Sequence, residues 1–423
     1  MRSATAIPGS PEEVMELFIA RQPIFDRTLK VHGYEILFRS DAGNSFSCID
    51  GDDASRNVIG NTFLKMGLHR LTGGKRAFIN FTRNLFLAEV GLNLPKELTV
   101  IEILEDIEPD PRLIEVCGKL RQAGYTLALD DFVVRQHNLR PLIQLAHIIK
   151  VDFMGNSNAE KASIARELGG RGPLLLAEKV ETREDLELAL DCGYTFFQGF
   201  FFSKPEMISG KDIPGYKLHH LRMLEQVSRR DLDYKALAGT IQQDLSLSYK
   251  LLNYINSAYF GLRKAVSSVA QAILLLGENE VRKWVSLVTL TGLGQDKPQE
   301  LMIVSLARAQ FCESMAAGAG LKRKESELYM TGLLSLLDAL VGRPMSEILA
   351  EIPVSPDIKD ALGGLRANRH RKVLDLVLHY EKAQWRELST AITDLGLSSR
   401  DVVTAYLESL DRAERILSGL SGG

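Results

Sequence analysis

Short apolar runs alternate with helix-length amphipathic segments through the first half of the chain. Leu17–Asp26 (LFIARQPIFD) and Val31–Arg39 (VHGYEILFR) read as two strands joined by a polar turn around Arg27–Lys30. Ala77–Phe81, Leu98–Leu104, Thr126–Asp130, Ile148–Val151, Leu174–Ala177 and Thr195–Phe197 continue as strands. Asp53–Leu68, Arg112–Ala123 and Arg183–Asp191 carry helical apolar spacing between them. Strands separated by helices predict parallel βαβ units, and so many over about 190 residues predict a closed barrel of the TIM kind. After a Gly/Pro-marked stretch, Ser209–Gly215 (SGKDIPG), the period changes to 3.6. Tyr234–Asp244, Ser246–Asn256, Val269–Leu276, Asn279–Leu290, Glu300–Ala316, Lys324–Leu340, Asp357–Leu365, Arg386–Thr393 and Arg400–Leu417 read as helices. The expected architecture is an α/β barrel over residues 17–206, a linker over 207–215 and an all-α domain over 216–423.

Polar residues interrupt the apolar strands at their ends. Glu35, Asn80, Glu102, Asp130, Asp131, Lys150, Glu178 and Gln198 each lie in or just after a predicted strand. In a TIM-type barrel, strand ends at the C-terminal mouth carry the chemistry. Taken alone, the adjacent pair Asp130-Asp131 has a commoner account, an Asp capping the next helix beside a solvated neighbour. Eight such residues on successive strands are harder to dismiss. An acidic, oxygen-rich mouth with one lysine suits two divalent ions activating a water against a phosphodiester.

Composition narrows the function classes. The 423 residues are 45% hydrophobic and 25% charged, with a net charge of −3, so charge gives no reason to expect nucleic acid or an acidic membrane as partner. Cys48, Cys117, Cys192 and Cys312 are scattered without a CxxC pair, as in a reducing compartment. No run approaches the roughly 20 apolar residues of a membrane span, and a cytoplasmic protein is expected. Arg369-His370-Arg371-Lys372 and Lys322-Arg323-Lys324 read as solvated basic turns, and His219-His220 as a surface pair.

Gln22-Pro23-Ile24 and Tyr34-Glu35-Ile36-Leu37-Phe38-Arg39 open an ordered series of motifs. Asn80-Phe81-Thr82, Glu102-Ile103-Leu104-Glu105, Asp130-Asp131-Phe132, Ile149-Lys150-Val151-Asp152, Ala177-Glu178-Lys179-Val180-Glu181 and Gln198-Gly199-Phe200 follow. The series resembles the EAL family of cyclic di-GMP phosphodiesterases over residues 17–206. The resemblance implies that Glu35, Asn80, Glu102, Asp130, Asp131 and Glu178 are ligands of Mg²⁺ or Mn²⁺ in a two-metal site. It further implies that Lys150 orients the attacking water, with Glu35 beside it in the catalytic set. Arg39 would contact a ligand phosphate, Gln198 would complete the site, and Glu105 would anchor the loop after the aspartates. Cyclic di-GMP is the implied ligand and an EAL-mediated homodimer the implied assembly.

Two departures bear on turnover. The name-giving Glu-Ala-Leu is Glu35-Ile36-Leu37 here. Active members usually continue the Asp-Asp pair with Phe-Gly and further small residues, whereas this chain has Phe132-Val133-Val134-Arg135-Gln136-His137-Asn138. Valine is strongly disfavoured at positive φ, so it cannot follow a glycine-dependent path. The expectation is retained ligand binding with weak or absent hydrolysis; the alternative is an active phosphodiesterase yielding linear pGpG.

Asp244-Leu245-Ser246-Leu247-Ser248, then Lys250 through Gly261 (KLLNYINSAYFG), Val266–Ala272, Ile273–Gly277 and Trp284 resemble the HDOD family of HD-related output domains. Related metal-dependent HD phosphohydrolases carry a His-Asp pair where this chain has Ser335-Leu336, after Thr331-Gly332-Leu333-Leu334. Neither residue can replace those ligands, so the helical half is expected to be a non-catalytic module that engages a protein partner.

Overall fold

The first half closes on itself as eight strands in sequence order. They are β1 (Leu17–Asp26), β2 (Val31–Ser40), β3 (Arg76–Phe81), β4 (Thr99–Ile103), β5 (Thr126–Phe132), β6 (Ile148–Asp152), β7 (Leu174–Glu178) and β8 (Phe196–Gln198). The structure is a computed structural model. It describes residues 17–40, 68–132, 139–170, 172–204, 234–256, 264–365 and 367–421, with isolated positions between 220 and 262. The helix expected over Asp53–Leu68 falls outside these residues except for Leu68, as do the loop 133–138 and the linker 207–215.

Strands β2 to β8 run parallel to their neighbours, but β1 is antiparallel to both β2 and β8. The connection Arg27–Lys30 is too short for a parallel crossover, which needs a dozen or more residues. Asp26 organises it instead, its Oδ1 accepting from the Thr28 N–H at 2.7 Å and the Lys30 N–H at 3.1 Å.

Inside the barrel, Ile24, Phe78, Val100, Ala128, Ile148, Leu176 and Phe196 form a closed apolar floor. Side chains alternate along a strand, so the residue two positions further on also faces inward. Those residues are Asn80, Glu102, Asp130, Lys150, Glu178 and Gln198, and on the antiparallel β1 the corresponding step back from Ile24 gives Gln22. The intervening residues, among them Ile79, Ile101, Leu129, Ile149, Ala177 and Phe197, pack outward in a second apolar cluster. Around the strands lie α1 (Leu68–Thr72), α2 (Arg83–Leu87), α3 (Pro111–Gln122), α4 (Arg140–Leu145), α5 (Asn158–Leu168) and α6 (Arg183–Cys192).

The second half is helical throughout its described residues. Its helices are α7 (Tyr234–Gln243), α8 (Leu245–Ile255), α9 (Val269–Leu293), α10 (Gln299–Met315), α11 (Glu325–Leu334) and α12 (Leu337–Val341). They are followed by α13 (Met345–Glu351), α14 (Pro356–Leu362), α15 (Arg369–Glu381), α16 (Trp385–Leu395) and α17 (Ser399–Ser421). Helix α9 is broken at Gly277, whose φ of 71° lies outside the helical region. The single helix expected over Lys324–Leu340 is divided at Ser335-Leu336. Arg369–Lys372, expected as a solvated turn, instead opens α15, with Asn368 accepting from the Arg371 N–H at 3.1 Å. Val373, Leu374, Val377 and Tyr380 bury one face of that helix, and His370 is buried with them. The basic first turn obscured an apolar repeat that lay just downstream.

The two halves share a core at β1. β8 pairs only with Ile24–Asp26, so the first half of β1 has β2 on one side and an open edge on the other. An unpaired edge is a liability that proteins cover. Here two tyrosine hydroxyls do so: Ile19 N–H donates to Tyr380 of α15 at 3.4 Å, and Arg21 N–H to Tyr406 of α17 at 3.2 Å. Phe18 and Ala20 join the apolar cluster of the helical half. The Arg21 guanidinium donates to Leu71 O at 2.5 Å and Glu414 at 2.9 Å, and lies 4.1 Å over the Tyr34 ring. The Tyr34 hydroxyl in turn donates to buried Glu300 of α10 at 2.9 Å. Burial pushes the Glu300 carboxyl above its usual range, and Arg21 offsets part of that shift. Arg21→Met should therefore strand a buried acid, a change that costs about 3–5 kcal/mol when one partner of a buried pair is lost. Differential scanning calorimetry should show a lower transition temperature; an unchanged thermogram contradicts this role.

Candidate functional site

At the mouth of the barrel, above the apolar floor, is a cavity of about 430 Å³. Glu35, Asn80, Asp130, Asp131, Glu178 and Gln198 line it, while Glu102 and Lys150 lie at its base, both fully buried. Lys150 Nζ sits 2.8 Å from Glu102, 2.8 Å from Asp130, 2.9 Å from Glu178 and 3.6 Å from Glu35. Asn80 Nδ2 donates to Glu35 Oε1 at 3.1 Å, and Gln198 Nε2 donates to Glu35 Oε2 at 2.6 Å and to Gln22 at 3.3 Å. These amides fix the Glu35 carboxylate from both sides.

Charge at the base of the mouth is out of balance. Burial would depress the Lys150 ammonium, but the four surrounding carboxylates outweigh it and hold its pKa well above the ordinary lysine value. Burial pushes Glu102 and Glu178 well above the usual carboxylate range; Lys150 opposes the shift and the neighbouring acids add to it. Although Lys150 is close, none of its contacts has hydrogen-bond geometry. Both Glu102 oxygens, Glu178 Oε2, Asn80 Oδ1 and Gln198 Oε1 are buried without a donor. A cage of undonated oxygens fits a hard divalent cation. Glu35, Glu102 and Asp130 bring ligand atoms within 4.8 Å of one another, as do Asp130, Asp131 and Glu178, so Asp130 belongs to two overlapping triads.

Other expected residues are placed less centrally. Glu105 reaches the rim, where burial and the nearby Asp130 and Asp131 raise its pKa. Arg39 follows Glu35 by four residues on β2 but is not among the cavity-lining side chains. Lys179 and Asp152, present in the motifs above, were not assigned to the site by the sequence reading: Lys179 Nζ bonds Asp131 and Asp152 at 2.8 Å each. The available signal was a lysine directly after the Glu178 strand end.

Family models match the two halves in order: an EAL domain over residues 75–205 and an HDOD domain over residues 214–345. The uncharacterized protein YuxH of Bacillus subtilis is 37% identical over 95% of this chain and 99% of its own length. The chain belongs to the EAL–HDOD family. Cyclic di-GMP phosphodiesterase CdgJ of Vibrio cholerae is 35% identical, over 93% of this chain and 91% of its own. Among solved structures, Bacillus subtilis YkuI, an EAL-domain protein in complex with cyclic di-GMP and calcium, matches at 20% identity. Its TM-score is 0.37, with 62% of this chain and 73% of that chain covered.

In the HDOD region, Ser335 Oγ donates to Gly332 O at 2.7 Å and accepts from Arg308 at 3.1 Å, and Leu336 is buried. Arg308 is committed to Glu381 at 2.8 Å. The HDOD region does gather Glu327, Asp357 and His370. There Lys324 already neutralises both acids, at 2.8 and 3.2 Å. No described helix is long and apolar enough to cross a membrane.

The raised acids of the EAL barrel give a pH signature. Glu102 and Glu178 have folded pKa values above the unfolded value, so between the two the folded state holds more protons. Stability of the metal-free barrel then falls as pH rises through that window. A divalent cation that replaces those protons should stabilise more at pH 8 than at pH 5. Thermal unfolding with Mn²⁺ against EDTA at both pH values checks this; equal shifts would contradict it.

Proposed function

We propose that the EAL barrel binds cyclic di-GMP at its mouth through Mg²⁺ or Mn²⁺, with hydrolysis slow or absent. In this reading it serves as a ligand-responsive module, homodimeric through the barrel, whose HDOD region engages a protein partner. The observation that carries the reading is the convergence of Glu35, Asn80, Glu102, Asp130, Asp131 and Glu178 on one cavity with undonated buried oxygens. Those six residues are the set from which a divalent cation would draw its ligands. When bound, divalent ions neutralise phosphate charge and lower the pKa of a coordinated water. Lys150 holds a fixed positive charge beneath the ligands, where it can orient a water against the phosphodiester. Gln198 and Asn80 fix Glu35. Arg39 is assigned to a ligand phosphate and Glu105 to anchoring the loop.

A working phosphodiesterase producing linear pGpG is the second reading. It is favoured by the complete donor set and by the relative CdgJ, a cyclic di-GMP phosphodiesterase. Calorimetry with cyclic di-GMP in Ca²⁺, and again in EDTA, tests what both readings share. Binding is expected in Ca²⁺ and should be lost in EDTA and in Glu35→Ala. No binding by the wild-type protein in Ca²⁺ removes both.

A further inference from the structure

Lys179 has backbone geometry that a lysine rarely adopts. Its φ is 56°, in the left-handed region where a Cβ crowds the backbone. Strained non-glycine residues persist where the surrounding structure over-determines them, and they cluster at functional sites. Two ion pairs hold this one: Nζ lies 2.8 Å from Asp131 Oδ1 and 2.8 Å from Asp152 Oδ2. Asp152 is itself fixed, because its other oxygen accepts the N–H groups of Met154 at 2.7 Å and Gly155 at 2.9 Å. The ammonium is thus clamped between an anchored acid outside the cage and Asp131, which belongs to the second candidate metal triad.

A partly exposed pair of this kind ordinarily contributes little to stability. Its position gives it another consequence. Lys150 lies beneath both triads, 2.8 Å from the Asp130 they share, 2.8 Å from Glu102 of the first and 2.9 Å from Glu178 of the second; Lys179 adds a further ammonium to the second, Asp130, Asp131 and Glu178, where it engages Asp131. A divalent ion arriving there would meet like charge and lose an oxygen ligand. We infer that Lys179 is a resident cation standing in for the second divalent ion, so that the mouth takes one metal ion, at Glu35, Glu102 and Asp130. The inference rests on the metal-binding part of the proposed function and specifies its stoichiometry. Lys179 is a positioning residue here: it acts by engaging Asp131.

Manganese titration of the full-length protein tests this, with calorimetry for stoichiometry and electron paramagnetic resonance for proximity. Two Mn²⁺ ions in one cluster, about 3.5–4 Å apart, couple magnetically, whereas a lone ion gives an isolated six-line spectrum. Wild type should bind one tight equivalent with the isolated spectrum. Lys179→Gln, which removes the charge, and Lys179→Gly, which also relieves the backbone, should each bind two with a coupled spectrum. Circular dichroism checks that each variant is folded, and either folded variant suffices. Two coupled ions in the wild type overturn the inference while leaving the metal site intact. A folded variant that still binds one ion also overturns it. No binding by any of the proteins removes the metal reading, and this inference with it.

Discussion

Replacing Lys150 by methionine is expected to destabilise the metal-free barrel by about 3–5 kcal/mol at pH 8, the usual loss when a buried charge is left without its partner. At pH 5 the loss should be much smaller. Methionine keeps most of the stem and deletes the ammonium that faces Glu102, Asp130, Glu178 and Glu35. The folded pKa of Lys150 is raised, so its charge and its contribution persist across this whole range and are lost only above the folded value. The pH dependence comes from the acids. Glu102 and Glu178 take up protons in the folded state as pH falls through their raised values, and neutral carboxyls no longer need a counter-charge. Thermal or urea unfolding in EDTA at the two pH values measures the difference. Equal losses at pH 5 and pH 8 would show that Lys150 acts through packing rather than charge.

Turnover of cyclic di-GMP by the wild-type protein is expected to fall at least about 10²-fold below an ordinary kcat of about 1 s⁻¹. Hydrolysis needs the metals, the water and the phosphate in line, and a displacement of about 1 Å can cost that factor. The sequence Val133-Val134-Arg135 after the aspartates is incompatible with a glycine-dependent path, and Asp131 is tied to Lys179. Val133→Gly combined with small residues at Arg135 and His137 should raise the rate, and Glu35→Ala should abolish whatever remains. Product formation followed by chromatography, with Mg²⁺ and Mn²⁺ compared, decides the matter. A wild-type kcat of about 1 s⁻¹ or more would establish the phosphodiesterase reading instead.

The barrel and its mouth were legible because one period carries both. Phe78 then Asn80, Val100 then Glu102, and Ile148 then Lys150 are each two residues apart, so burial of the first places the second inside as well. Strand-end carboxylates on successive strands needed no knowledge of long-range contacts. The antiparallel setting of β1 was implicit in its short turn to β2. Less legible were features set by tertiary partners. Helix α15 begins with charged residues, and only the packing of Val373, Val377 and Tyr380 reveals its buried face. Lys179 looks like an ordinary surface lysine until its ammonium is seen on Asp131 and Asp152. Covering of the β1 edge by Tyr380 and Tyr406 joins residues more than 360 positions apart, which no local pattern can report.

That edge constrains how such chains can be recombined. Arg21 and Gln22 are neighbours in sequence but face opposite ways, one bonded to Glu414 and the other to Gln198 inside the mouth. A one-residue insertion or deletion early in β1 would reverse this arrangement, presenting the mouth residue to the helices and the docking arginine to the cavity. A hybrid joined at the linker would inherit an arginine and two tyrosines from different parents. Grafting a foreign HDOD region onto this barrel should therefore succeed only if the strand at residues 17–26 travels with the helices that cover it.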